Sequence, residues 1–173
     1  MKQRGSIGGK NMPSRIRHHI SPTEAPWLTE QRLDLSRLPI DSVLRQALSP
    51  DAEQFRSGCT LLGSMCHAGR VEAGVFLLGL LRQYPEDFAR LTLIADALAF
   101  FPSLATVDAL ASELRRVKGS SATRAYLRQI VATFERLPAQ LVEEEIQDLS
   151  ADPQVGTRFR QHLRSLMLRN FNE

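Results

Sequence analysis

From about residue 37 onward, apolar residues recur at the spacing of amphipathic helices, in segments of 10 to 18 residues separated by Pro, Gly, Ser or Asp. The pattern predicts an all-α chain of seven or eight helices. Asp41 to Leu48 makes a short first one. Ser49-Pro50-Asp51 opens the next with a capping hydroxyl and a proline in the first turn, and the stripe Phe55, Cys59, Leu62, Cys66 carries it to Gly69. Val71 to Gln83 follows, then Glu86 to Phe101 between Pro85 and Pro102. Leu104 to Val117 ends at Lys118-Gly119, a basic residue and a glycine in the order a helix C-terminus favours. Ser120 or Ser121 caps a helix ending near Leu137-Pro138, Gln140 to Leu149 makes another, and Asp152-Pro153 opens the last, which runs through Arg169.

Residues 1–36 lack this periodicity, being broken by Pro13, Pro22 and Pro26 and by Gly5, Gly8 and Gly9. They predict a basic, largely irregular arm ahead of a helical-repeat domain over 37–173. Within the arm, Trp27 and Leu28, followed by Leu33, Leu35 and Leu38, are expected to pack onto the body, because a lone Trp is a large apolar surface to leave in water.

The helices carry a period of 34 residues. Arg56, Arg90, Arg124 and Arg158 fall in one column, preceded by Phe55, Ala89, Thr123 and Thr157 and followed ten residues later by Cys66, Phe100, Phe134 and Leu168. Asp51, Pro85, Gly119 and Pro153 align as turns. A pair of helices joined by a tight turn cannot bury its apolar stripe alone, so repeated pairs stack and share one core. The expected fold is a right-handed α-solenoid of about four antiparallel helix pairs, roughly 37–70, 71–104, 105–138 and 139–173. Its last helix sets Phe159, Leu163, Leu166 and Met167 against a polar stripe of Arg158, His162, Ser165 and Arg169, the pattern of a helix that closes a stack.

The run Asp152-Pro153-Gln154-Val155-Gly156-Thr157-Arg158 resembles the inter-helix turn and second-helix start of HEAT-type repeats, where an acidic residue and Pro precede Val and Arg. The Arg90 and Arg124 columns carry parts of that pattern, with Asp87 ahead of the first. A 34-residue period equals that of tetratricopeptide repeats, whose tight turn Gly69-Arg70-Val71-Glu72-Ala73 resembles, although their Trp, Gly and Tyr positions do not recur here. The HEAT-like resemblance is the preferred one and spans residue 37 to the end. It implies that Arg56, Arg90, Arg124 and Arg158 form a structural ladder paired with acids and carbonyls of neighbouring units.

Composition agrees with one soluble helical domain: 173 residues, 43% apolar and 6% aromatic, with Leu (25) and Ala (17) dominant. No window approaches the roughly 18 apolar residues of a membrane helix, and the start has no signal-peptide run, so the expectation is a cytoplasmic protein without a membrane role. The net charge of +3 is uneven. Lys2, Arg4, Lys10, Arg15 and Arg17 crowd residues 1–20 without an acid, leaving seventeen basic and nineteen acidic residues in the rest.

Little in the chain suggests bond-making chemistry. Cys59 and Cys66 stand seven apart on one predicted helix, about 10 Å along its axis, too far for a disulfide, and they lack metal-ligand companions. Gly5-Ser6-Ile7-Gly8-Gly9-Lys10-Asn11 lacks the first glycine, the hydroxyl and the preceding strand of a phosphate loop, and His18-His19 alone make no metal site. No catalytic residue, metal or cofactor is expected. Asp96, alone in the apolar run Leu91 to Leu98, needs a partner, for which Arg124 or Arg128 of the next unit is expected; a binding carboxylate is the alternative. Arg124 and Arg128, then Arg158, Arg160 and Arg164, form a basic surplus that Glu143, Glu144, Glu145 and Asp148 are placed to neutralise. The candidate binding face is therefore Asp96, Arg124, Arg128, Arg160, His162 and Arg164.

These features favour a non-catalytic interaction or scaffold module that offers a helical surface to a protein partner. It would be a monomer, or a homodimer through an apolar edge at Phe76, Leu77 and Leu80. The alternative is phosphate or nucleic-acid binding through the arginine-rich face and the basic arm, in the manner of HEAT-like DNA glycosylases, although the only Trp lies outside the repeats. A third class, resembling HEAT-like bilin lyases, would recruit Asp96 and Cys59.

Overall fold

The computed structural model describes residues 37–170, with side chains through Leu168. The basic arm, Trp27 and its neighbours, the glycine-rich start, His18-His19 and the side chain of Arg169 lie outside the described residues. Within them the chain is all-helical: α1 (Ile40–Ala47), α2 (Ala52–His67), α3 (Val71–Gln83), α4 (Phe88–Leu98), α5 (Leu104–Arg116), α6 (Arg124–Arg136), α7 (Ala139–Ala151) and α8 (Thr157–Asn170). None of these is long and apolar enough to cross a membrane.

Polar side chains set where α2, α4, α5, α6 and α8 start, and they move several boundaries from the expected places. Asp51, not Ser49, caps α2, accepting the Gln54 N–H at 2.8 Å, while the Ser49 hydroxyl receives the Asp51 N–H. Asp87 caps α4 through the Arg90 N–H at 3.0 Å, so the helix begins at Phe88 rather than Glu86. Ser103 caps α5, and Thr106 Oγ1 reaches back to the Phe101 carbonyl at 2.8 Å. Ser120 and Thr123 repeat that arrangement, with Thr123 Oγ1 on the Lys118 carbonyl at 2.8 Å; the turn they make delays α6 to Arg124. Asp152 likewise closes a turn, accepting the Gln154 N–H at 2.8 Å, and α8 starts only at Thr157.

The helix ends differ in kind. Gly69 (φ +86°) ends α2 in a Schellman motif, its N–H on Cys66 and that of Arg70 on Met65. Lys118-Gly119 does not act this way: Val117 is already extended, and among the described residues only Gly69 has a positive φ. α4 tightens at its end, where the N–H groups of Ala99, Phe100 and Phe101 bond to carbonyls three residues back.

α2, α4, α6 and α8 pack side by side in that order; α1 and α3 lie on α2, α3 also on α4, α5 on α6 and α7, and α7 on α8. One contiguous core runs through all of them, from Val43 to Leu166, and Leu38 packs against it. The row begins at residues 52, 88, 124 and 157, intervals of 36, 36 and 33. Arg56, Arg90, Arg124 and Arg158 therefore sit at the fifth, third, first and second positions of their helices and meet different surroundings.

The α4–α6 joint is the most specific contact in the row. The tightened end of α4 leaves the Ala95 carbonyl without an amide four residues on, and Thr133 Oγ1 of α6 supplies the missing donor at 2.8 Å in the buried interface. On the same face of α6, Gln129 and Arg136 reach Asp96 at 3.1 and 2.7 Å. The partner of Asp96 is thus Arg136, whose guanidinium also covers the Phe100 ring, rather than Arg124 or Arg128, which lie on the other face of the helix.

Other close approaches depend on glycine. A Cβ on Gly58 would come within 2.4 Å of the Ala47 backbone nitrogen, so α1 and α2 meet only because position 58 has none. The expected dimer edge is not there: Leu77 and Leu80 are core residues and Phe76 packs against the core, while Val71 and Val75 are the exposed apolar residues of α3. Cys59 and Cys66 are free and buried, and burial pushes their thiols up to about 12 and about 11.

Three outcomes are expected. Thr133→Val leaves a buried carbonyl without a donor and costs roughly 1–3 kcal/mol in urea unfolding. Gly58→Ala forces α1 off α2 and costs about as much as an overpacked core site, roughly 1–3 kcal/mol, whereas Gly79→Ala, with nothing near its Cβ, gains roughly 0.5–1 kcal/mol of helix stability. In the folded protein neither cysteine reacts with a maleimide near neutral pH, and both react once urea unfolds it.

Candidate functional site

Between α6 and α8, and between the turns that lead into them, lies a cleft of about 630 Å³. Along α6 its lining runs from Arg124 and Arg128 through Val131 and Ala132 to Glu135, one face of the helix over about 16 Å. The facing wall is Thr157, Arg158, Phe159 and His162 of α8, and Gly119, Ser120, Ser121 and Gly156 come from the leading turns. His162 Nε2 and Glu135 Oε1, 3.2 Å apart, join the two helices.

The arginines are short of counter-ions. Among the described residues no carboxylate stands within ion-pair distance of Arg124, Arg128 or Arg158. The acids nearby are engaged elsewhere: Glu145 and Asp152 with Arg115, Glu113 with Arg116, and Asp96 with Arg136. Among the described residues Glu143, Glu144 and Asp148 stand within ion-pair distance of none of Arg158, Arg160 and Arg164, the partners expected for them.

The structure gathers only some of the predicted face. Arg124, Arg128 and His162 line the cleft, and so does Arg158, which was assigned to the structural ladder. Arg160 and Arg164 do not line it: Arg160 donates to Thr157 Oγ1 at 3.3 Å and Arg164 to the Ser150 carbonyl of α7 at 3.1 Å. Asp96 lies outside it, at the end of α4. The apolar floor of Val131, Ala132 and Phe159 was not foreseen as part of a site, although Phe159 is adjacent to Arg158 and Ala132 one turn from Arg128.

The other pair of ladder arginines borders a second hollow, of about 540 Å³, between α2 and α4, lined by Phe55, Arg56, Asp87 and Arg90 among others. Of the four column arginines, Arg90 is the one with both an acid and a carbonyl partner among the described residues. It meets Asp87 at 3.3 Å and the Pro50 carbonyl at 2.9 Å, and its guanidinium lies 4.6 and 4.8 Å from the Phe55 and Tyr84 ring centroids.

The leading turn of α8 is held by Arg115 of α5, which grips Asp152 at 2.9 Å and Glu145 of α7 at 2.8 Å. The Gln154 N–H and then the Arg115 guanidinium hold the Asp152 carboxyl below the usual aspartate range. Near α6, Tyr126 is fully buried and donates to Glu113 Oε2 at 2.8 Å; its burial and the Glu113 charge raise its pKa. Among the described residues no three His, Cys, Asp or Glu side chains come together as a metal site.

Comparison of the chain with protein-family models, with curated proteins and with solved structures gives no match.

A group whose folded pKa is depressed stabilises the fold above its unfolded pKa and loses that contribution as pH falls through the folded value. Asp152→Asn is accordingly expected to lower the thermal midpoint at neutral pH, with the gap from the natural chain closing once the pH drops below the aspartate range.

Proposed function

We propose that the protein is a non-catalytic interaction module, a right-handed, HEAT-like stack of helix pairs that holds a segment of a partner protein in the α6–α8 cleft. The observation that carries this reading is the cleft itself. It combines an apolar floor with a charged rim along about 16 Å of helix, dimensions suited to an extended peptide. The stacked reading is supported by the row α2, α4, α6, α8 and by the α5–α7 contact behind it. It is supported too by the repeated Ser-x-x-Thr turn at Ser103–Thr106 and Ser120–Thr123, seventeen residues apart, half of the 34-residue period.

Phosphate or nucleic-acid binding is the second reading, favoured by the same arginines, which no carboxylate among the described residues pairs. Seventeen basic against nineteen acidic residues beyond position 20, and a glutamate on the rim, weigh toward the peptide.

The test is capture by the immobilised full-length chain from a nuclease-treated extract of its native host. One protein is expected to be retained at defined stoichiometry and lost on Ala132→Trp, which fills the cleft. Retention that vanishes with nuclease, or that Ala132→Trp leaves unchanged, contradicts the reading.

A further inference from the structure

Three arginines line the α6–α8 cleft, two on one wall and one on the other. Arg124 and Arg128 are one turn apart, about 6 Å along the α6 axis, and Arg158 stands on the facing wall. Guanidiniums with no carboxylate at hand suit the carboxylates of an acidic chain, whose apolar side chains an apolar floor can seat alongside. Past the arginines the α6 wall becomes apolar at Val131 and Ala132, with Phe159 on the α8 wall, and then ends at Glu135, which is joined to His162. The lining is therefore ordered along α6: cationic, then apolar, then closed by the Glu135–His162 pair. The α2–α4 hollow lacks this order, because Arg90 is satisfied by Asp87, the Pro50 carbonyl and two rings.

We infer that the α6–α8 cleft takes an acidic peptide segment whose Asp or Glu side chains cluster on one side of an apolar residue. The carboxylates pair with Arg124, Arg128 and Arg158, and the apolar side chain seats on Val131, Ala132 and Phe159. This rests on the interaction-module reading and supplies its specificity.

Fluorescence anisotropy with the full chain tests it, using labelled peptides in which one Leu is walked through an Asp/Glu background. Binding is expected to saturate, to weaken with added salt, and to depend on the position of the Leu. Arg124→Glu with Arg128→Glu, both exposed positions whose change should leave the thermal midpoint nearly unaltered, reduces affinity about tenfold or more. Ala132→Trp removes binding, and Arg56→Glu, an exposed arginine outside this cleft, leaves it unchanged. The inference is overturned if no peptide binds, if the paired charge reversal has no effect, or if a labelled single-stranded oligonucleotide of equal charge binds as tightly. Failure of the peptides while protein capture stays sensitive to Ala132→Trp overturns the acidic specificity and leaves the interaction module standing. Failure of both overturns both.

Discussion

The hydroxyl of Thr133 on the carbonyl of Ala95 fixes how α6 sits on α4, and much of the useful surface follows from it. A helix that ends in a tighter turn leaves a main-chain acceptor over, and a buried acceptor must be satisfied. Because the donor is a short β-branched side chain, it sets both the distance and the rotation of α6. With Gln129, Thr133 and Arg136 committed to α4, the stripe from Arg124 through Arg128 and Ala132 to Glu135 is carried to the opposite face, where it meets α8.

Charge is then distributed by which helices can reach one another. Arg115 draws Glu145 and Asp152 to itself and so anchors α7 and the turn before α8 to α5. Arg164 spends its guanidinium on an α7 carbonyl. The result is a cleft whose arginines have no carboxylate at ion-pair distance among the described residues, while the neighbouring acids are occupied. The α2–α4 hollow shows the opposite outcome from the same arginine column, since a capping aspartate and two aromatic rings lie close enough to satisfy Arg90.

Much of the architecture was legible in the sequence because apolar spacing and punctuation residues report directly on helices. α3 lies where the periodicity puts it, and Gly69 ends α2 as a C-terminal glycine should. Boundaries slipped where a side chain caps later than the pattern suggests, as Asp51 does rather than Ser49 and as Asp87 does one residue past Glu86, and where the Ser120–Thr123 and Asp152–Gln154 turns consume residues that a simple pattern assigns to helix. The cleft was half legible. The one-turn spacing of Arg124 with Arg128 and of Arg158 with His162 puts each pair on one face, whereas Arg160 and Arg164, a turn apart from each other, belong to a different face of α8 and reach elsewhere. The Asp96–Arg136 pair was missed because it depends on the rotation of α6, a tertiary fact that no periodicity carries.

The central claim, that α6 and α8 frame a peptide-binding cleft, is tested most directly by amide chemical-shift mapping of the full-length, isotope-labelled chain during titration with its captured partner segment. The account predicts perturbations concentrated in residues 119–135 and 156–162. Perturbations centred on the exposed apolar face of α3, at Val71 and Val75, with the α6–α8 amides unmoved, would contradict it.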